Sequence, residues 1–495
     1  MDITFINPPQ AFSKSMVTAG VTPPLGIAYL AAVVIEEGYR AKLIDALGEA
    51  PDEISLYRDG FSLRGFNFEQ IIREIPKDAD LVGISNLFTF AFPMVLDLAR
   101  EIKKKRDIPI VLGGAHPSAT PSETLRNEQI DYVIMSEGEQ TILDLLKVLD
   151  GKKKENELDG FAWKEKGVVR VNPKTKLIEN LDKIPFPRRD LLPMENYFKA
   201  REAHGTVNER WTPLISSRGC PYECTFCSSR LWLRRWRVRS AKNVVDEIEE
   251  CIENFRIKDF HFEDENLTIS KERTIEICDE IKDRNLDIIW QTPNGIRASA
   301  TDNEMLIRMK EAGCKHITVA PESGSKRVLE EVIRKHQNLD DVTRVVRLAK
   351  RIDLKSAAYF ILGLPGETLE DIEMTMDYSA KLAKEGLDEV VFSMFIPLPG
   401  SELYDKLKAE GKLNHNYEDL AAIGDLNKAA SWSEHVSSEQ LQKLRRRAYL
   451  RFHIIRAFYH PRSTVKSIVN VLTDRQETKT ERVIETFIKR YVGRK

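Results

Sequence analysis

Along the first 150 residues, short apolar runs alternate with stretches whose apolar positions recur every three to four residues. ITFIN (3–7), AKLID (41–45), LVGIS (81–85), IPIVLGG (108–114) and DYVIM (131–135) predict strands; helices are predicted over 24–37, 91–105 and from 138. This alternation predicts βαβ units and a parallel sheet, an α/β domain of Rossmann-like type. Such sheets take ligands at the carboxyl ends of their strands, where this chain has Asn7-Pro8-Pro9, Ser85-Asn86, Gly113-Gly114 and Ser136-Glu137-Gly138-Glu139.

Residues 151–205 are polar and proline-rich, with a small hairpin predicted from FAWKE and VVRVN around Lys166-Gly167, and they read as a linker between domains. A second series follows: strands PLISS (213–217), DFHFE (259–263), IIWQT (288–292), HITVA (316–320), SAAYFIL (356–362) and EVVFSMF (389–395). Between them helices are predicted over 241–255, 270–284, 303–312, 325–334, 339–352 and 368–385. Six βα repeats predict a partial (β/α)6 barrel over 206–405. Residues 406–495 predict a basic helical domain, with 15 Lys/Arg against 4 Asp/Glu in 441–495. That face docks an acidic protein or an anionic lipid surface, or is the solvated side of packed helices.

Over 495 residues, 75 Lys/Arg against 77 Asp/Glu leave a net charge of -2, which argues against nucleic-acid binding. No apolar run approaches the ~20 residues of a membrane span and the start lacks a signal-peptide pattern, so a cytoplasmic protein without a transmembrane segment is expected. Six cysteines are too few for a disulfide scaffold, and three of them fall within eight consecutive positions.

The stretch SSRGCPYECTFCSS spaces Cys220, Cys224 and Cys227 by four and three, directly after a predicted strand. Three thiolates on one loop bind three irons of a 4Fe-4S cube and leave the fourth open. Structural zinc instead needs four ligands, and no second Cys or His pair stands nearby. CxxxCxxC with an aromatic before its last cysteine, here Phe226, resembles the signature of the radical S-adenosylmethionine (SAM) superfamily, and the resemblance covers most of 210–405. It implies that the cysteines hold the cluster and that SAM chelates the open iron. An electron donor of ferredoxin or flavodoxin type then drives cleavage of SAM to a 5'-deoxyadenosyl radical. It also implies SAM contacts from Asp264 in HFEDENLT, Gln291, Asn294 and Arg297 in WQTPNGIRA, Glu322 and Ser323 in APESGS, and Gly363 and Leu364 in LGLPGET. As residues alone, these are also compatible with a solvated acidic turn and with helix caps.

NPP, PPLGIAYLAA (23–32), EEGY (36–39), GISNLFTF (83–90), LGGAHPS (112–118) and SEGEQT (136–141) together resemble the cobalamin-binding domain that precedes many radical SAM domains. The resemblance implies cofactor contacts from Pro9, Pro24, Leu25, Gly26, Ser85, Asn86, Leu87, Gly113, Gly114, His116, Glu137, Gly138 and Glu139. His116 is either such a contact or a surface-loop residue, and a Rossmann-like scaffold without ligand is the rival for the whole domain. The DxHxxG loop of methionine-synthase-type domains is absent: no histidine precedes His116. Cobalamin without a His lower ligand is therefore implied, its lower face meeting side chains of the loop Ser85–Phe88. Methylthiotransferases carry three further cysteines in their leading domain, whereas the first cysteine here is Cys220.

The resemblance thus implies a cobalamin-dependent radical SAM C-methyltransferase. The adenosyl radical abstracts a substrate hydrogen and methylcobalamin donates methyl to an unactivated carbon. The alternatives are a rearrangement, cyclisation or oxidation without methyl transfer, and a noncatalytic cluster-bearing sensor. For substrate, the expectation leans to a protein side chain, such as the glutamine of methyl-coenzyme M reductase, ahead of a lipid or small molecule.

Overall fold

The computed structural model describes residues 1–13, 20–58, 60–207, 209–413, 430–473, 475–482, 484 and 488. Among the described residues, ten strands form the first half: β1 (Asp2–Asn7), β2 (Gln10–Ser13), β3 (Arg40–Asp45), β4 (Ile54–Arg58), β5 (Phe61–Arg64), β6 (Leu81–Ser85), β7 (Ile110–Gly113), β8 (Tyr132–Ile134), β9 (Phe161–Glu165) and β10 (Val168–Asn172). Seven of them make one sheet in the order β10-β9-β8-β7-β6-β1-β3, with β3, β1, β6, β7 and β8 parallel. Helices α1 (Leu25–Glu36), α2 (Phe92–Lys105) and α3 (Glu139–Leu149) cover the two faces. β1 pairs with β3 on one side and β6 on the other, so the order of the sheet reverses between β1 and β6. A crevice opens at such a reversal, at the carboxyl ends of the strands.

The predicted hairpin forms at the expected residues but does not stand in a linker. Phe161, Ala162 and Trp163 pair with Ile134, Val133 and Tyr132, extending the first sheet. β8 has only three residues, and its outer edge would otherwise leave backbone groups unpaired. β2, β4 and β5 form a separate antiparallel sheet that the periodicity did not predict. Its strongest signal is the Asp59-Gly60 dipeptide, which favours hairpin turns.

The second half contains β11 (Trp211–Leu214), β12 (Ser217–Arg218), β13 (Arg237–Val238), β14 (Asp259–Phe262), β15 (Ile289–Ile296), β16 (Cys314–Glu322), β17 (Lys355–Leu362) and β18 (Glu389–Met394). Its parallel sheet runs β11-β14-β15-β16-β17-β18, the predicted partial barrel. Local signals place its helices. α4 (Ala241–Phe255) turns Val244, Val245, Ile248 and Cys251 inward and is capped by Ser240. α5 (Leu369–Glu385) begins in a capping box between Thr368 and Asp371 and ends at Gly386, φ +106°. The helix predicted over 325–334 is a single π-turn, Val328–Val332, ended where Arg334 and His336 adopt left-handed backbone.

Of the predicted helical tail, α6 (Ser438–Tyr459) packs on α5 and α7 (Pro461–Leu472) follows; much of the remainder lies outside the described residues. β11 and β18 are the open edges of the barrel, and residues 476–482 span between them. Lys479 N donates to Glu389 Oε2 (2.8 Å) and Val207 N to Gln476 Oε1 (3.3 Å). The Arg482 guanidinium donates to the carbonyls of Ala203 and Gly205. The tail is therefore part of the barrel. Arg482→Ala leaves these buried carbonyls without their donor and is expected to cost about 2 kcal/mol, read as a lowered urea midpoint.

Candidate active site

β11 delivers the chain to the three cysteines through a braced turn. The Asp264 carboxylate, 2% exposed, accepts from Ser216 N (3.1 Å), Ser216 Oγ (2.7 Å) and Ser217 Oγ, so both its oxygens are engaged by the segment entering the loop. Gly219 lies at φ +82°, and a Cβ there would stand 2.2 Å from the Arg235 carbonyl. Its amide donates to Glu265 Oε2 (3.0 Å). Farther along, Thr225 donates to the carbonyls of Ile333 and Val332, its own carbonyl accepts from Leu403, and Phe226 packs against the buried Leu364 cluster.

Cys220, Cys224 and Cys227 are half-buried and free. Burial pushes the Cys224 thiol up to about 11, with the charges of Cys227 and Cys220 acting in the same sense and Lys335 against them. Burial raises Cys220 as well. Three free thiols on one loop are the donor set of a cluster with an open iron, although among the described residues no three metal-ligating side chains stand close enough together to hold an ion. Cys251, Cys278 and Cys314 are buried elsewhere, as core residues.

The other SAM candidates divide. Glu322, at φ +65°, ends β16, and Lys335 Nζ lies 2.6 Å from its Oε1. Ser323 is spent on the turn: its Oγ meets Thr375 Oγ1 (3.1 Å) and accepts from Ser325 N. Arg297 stands 3.7 Å over the Tyr222 ring, within the cysteine loop, and donates to the carbonyls of Lys335 and His336. Asn294 is exposed at the barrel mouth, its Nδ2 donating to the Glu263 carbonyl (2.8 Å). The buried Oδ1 of Asn266 and Oε1 of Glu263 have no hydrogen-bond partner among the described residues.

Two placements differ from expectation. Gln291 lies inside the barrel, its side chain bonded to both backbone groups of Thr206 and near His261. Gly363, φ +81°, admits Leu441 of α6, whose Cδ2 stands 2.4 Å from where a Cβ would be. The Gly363 and Leu364 amides donate to Glu367, a carboxyl that burial pushes up to about 8. This loop is thus closed on itself and on the tail.

At the first sheet, the ends of β1, β6 and β7 gather Pro9, Ser85, Asn86, Leu87, Gly113 and Gly114, and Pro24, Leu25 and Gly26 open α1 beside them. Gly114 lies at φ +115°, where a Cβ would strike the Asn86 carbonyl at 2.6 Å, while Gly113 and Gly26 have open space at their Cβ positions. Asn86 Oδ1 is buried with no hydrogen-bond partner among the described residues, and Leu87 and Phe88 are each 56% exposed. An orphan acceptor, a glycine cradle and exposed apolar side chains at the crevice fit a large, partly apolar cofactor.

His116, Glu137 and Glu139 depart from the expected contacts. His116 is 1% exposed, with Nδ1 against Thr89 Oγ1 (3.2 Å), Nε2 against Thr120 Oγ1 (3.3 Å) and its ring on Phe92. It is neither a surface residue nor open to the crevice. Glu137 and Glu139 are 4% and 7% exposed and point at arginines of the second domain. Gly138 packs on Leu30.

Residues 16–146 match the B12 binding domain and residues 214–379 the Radical SAM superfamily. An uncharacterized methyltransferase of Pyrococcus horikoshii is 34% identical over 478 residues, covering 94% of this chain and 95% of that one. The chain belongs to the cobalamin-binding radical SAM methyltransferase family. Cytidylyl-2-hydroxyethylphosphonate methyltransferase of Streptomyces wedmorensis is 31% identical, over 79% of this chain and 78% of that protein. Anaerobic magnesium-protoporphyrin IX monomethyl ester cyclase of Rubrivivax gelatinosus is 29% identical, over 82% and 70%. The fold matches TsrM of Kitasatospora setae, a radical SAM methyltransferase, with a TM-score of 0.65 at 18% identity, over 83% of this chain and 75% of that one.

In this radical SAM enzyme the two domains are joined by buried ion pairs next to the cysteine loop. Arg218, two residues before Cys220, reaches Glu139 (2.7 Å) and Glu137 (3.3 Å). Arg237 donates to Glu137 at 2.7 and 2.9 Å. The helix 115–119 packs against the turn 228–232 that follows Cys227. Sequence reasoning missed Arg218, Arg237 and Lys335; the one signal was an arginine directly before Gly-Cys in SSRGC.

Removing one partner of such a pair leaves a buried charge unpaired. Arg218→Ala is expected to cost about 3 kcal/mol and Glu139→Ala less, because Arg218 keeps Glu137, with the double variant below the sum in a double-mutant cycle of urea midpoints. His116 gives a pH signature. Burial lowers it from 6.5 to about 4, so from pH 6.5 down to about 4 the unfolded chain takes up a proton that the folded domain refuses. The stabilisation, present in full above 6.5, falls by roughly 3 kcal/mol across that window. His116→Leu should flatten this acid limb in melts at stepped pH.

Proposed function

We propose that this enzyme is a cobalamin-dependent C-methyltransferase acting on an unactivated carbon. The observation that carries the proposal is the Arg218 clamp, which ties the crevice end of the cobalamin domain to the residues entering the cysteine loop. When bound, a 4Fe-4S cluster supplies the electron that splits SAM into methionine and a hydrogen-abstracting adenosyl radical, and cobalamin carries the methyl group.

The chain's own residues then have distinct roles. Cys220, Cys224 and Cys227 hold the cluster. Glu322 and Lys335, paired at 2.6 Å, offer a carboxylate to the ammonium and an ammonium to the carboxylate of SAM's methionine half. Asn294 and Asn266 present amides at the barrel mouth, and Phe226 packs beneath the loop. Asp264, Ser323, Arg297, Gly363 and Leu364 position these groups by shaping the backbone around them. Asn86, Gly113 and Gly114 would hold the cobalamin tail, with the exposed Leu87 and Phe88 as apolar cover beside it. A ferredoxin- or flavodoxin-type protein delivers the electron.

The relatives whose names state a substrate act on small molecules, which favours a small molecule or lipid over a protein side chain. The cyclase relative favours one second reading, ring closure or oxidation without methyl transfer. Anaerobic reconstitution should load about four irons and about one cobalt per chain. Cys224→Ala is expected to lose the iron and all 5'-deoxyadenosine formation; retained formation would sink the assignment. With methyl-labelled SAM, label in product supports methyl transfer, whereas SAM cleavage with product free of label moves the enzyme to the second reading.

A further inference from the structure

The C-terminal helices carry an apolar surface that the active site does not use. α6 buries Leu441, Ala448 and Phe452 but exposes Leu450 (63%), Ile454 (58%) and Phe458 (79%), four residues apart on its outer side. α7 buries only Asn470 and exposes Val465, Ile468, Val469 and Leu472, the i, i+3, i+4, i+7 stripe of an amphipathic helix. Scattered exposed apolar side chains are ordinary, but rows of them at helical spacing on two successive helices mark a contact surface.

The charges around this run select its partner. Residues 443–475 hold nine Lys/Arg and one acidic residue, Asp474. By helical periodicity Arg462 and Lys466 flank the α7 stripe, Lys443, Arg446 and Arg447 share the outer side of α6 with its apolar residues, and Arg475 follows α7. Arg462 and Arg475 form no ion pair among the described residues. The pairs Lys443–Glu439, Arg447–Glu373, Arg451–Asp377 and Lys466–Glu477 lie at the surface and are weak. Two copies of this face would meet with like charges, whereas an anionic surface complements them. Apolar stripes with basic flanks and Phe458-Tyr459 at the bend between the helices suit a bilayer interface. No helix among the described residues is long and apolar enough to cross a membrane, and α7, 12 residues long, suits lying in the interface plane.

We propose that α6 and α7 dock this enzyme peripherally on an anionic lipid bilayer. The proposal rests on this face alone and is independent of the reaction catalysed. Its test is flotation of the full chain with vesicles of phosphatidylglycerol and phosphatidylcholine in equal parts, against phosphatidylcholine alone. The chain is expected to float with the anionic vesicles only, and less so as salt rises. Ile468→Glu with Leu472→Glu should lower the bound fraction about tenfold, and Arg462→Glu with Lys466→Glu should abolish the preference for anionic lipid. Both pairs change exposed side chains and should keep the wild-type melting temperature, which is measured alongside. Absence of binding to anionic vesicles, or binding that neither pair weakens, overturns the proposal. So does a dimer in sedimentation that Ile468→Glu with Leu472→Glu dissociates, because the face then belongs to a second copy.

Discussion

Two buried carboxylates govern the architecture. Glu137 and Glu139 leave the end of the first sheet nearly without solvent, and an ionised carboxylate so placed is tolerated only beside a compensating cation. Arg218 and Arg237 supply that charge from the second domain. Because β12 and β13 carry both arginines and lead into and out of the cysteine loop, the requirement to pair charge also sets where the loop stands relative to the crevice. Glu247 of α4, 0% exposed, repeats the device between helix and barrel sheet with Arg189 and Arg239. Arg189 comes from the connecting segment, so the same physics anchors the connection as well as the interface.

Around the cysteines, polar bracing and held backbone strain serve preorganisation. Glu322, Arg334 and His336 adopt left-handed backbone that costs energy for residues with side chains. Ser325 and Arg327 on Asp371, Arg297 on Tyr222 and Ser323 on Thr375 hold this geometry. The result is a carboxylate and an ammonium paired near Cys224 and held in place before a ligand arrives.

The tail joins two tasks that usually belong to separate elements. Residues 476–482 close the open side of the six-stranded barrel, and Leu441 of α6 fills the space left by Gly363. The outer side of the same helices remains apolar and basic. A partial barrel needs such a closure because its edge strands would otherwise expose unpaired backbone and interior side chains.

Hydrophobic periodicity alone located nearly every strand of the two parallel sheets, since strand and helix repeats are local properties of the chain. The cysteine spacing likewise singled out one loop, and Glu322 ends β16, where its motif placed it. Tertiary structure decided the partners. Glu137 and Arg237 lie 100 residues apart, so the same acidic run that read as a cofactor contact is an interdomain clamp. His116, read as a cofactor contact or a surface-loop residue, sits among Phe92, Thr89 and Thr120, and Gly363, read as a SAM contact, yields its Cβ space to a helix some 80 residues downstream. Local sequence determines which residues form a strand and where it ends. What a buried charge or a bare glycine is for depends on what the distant chain brings against it, because desolvation and close packing are properties of the assembled interior.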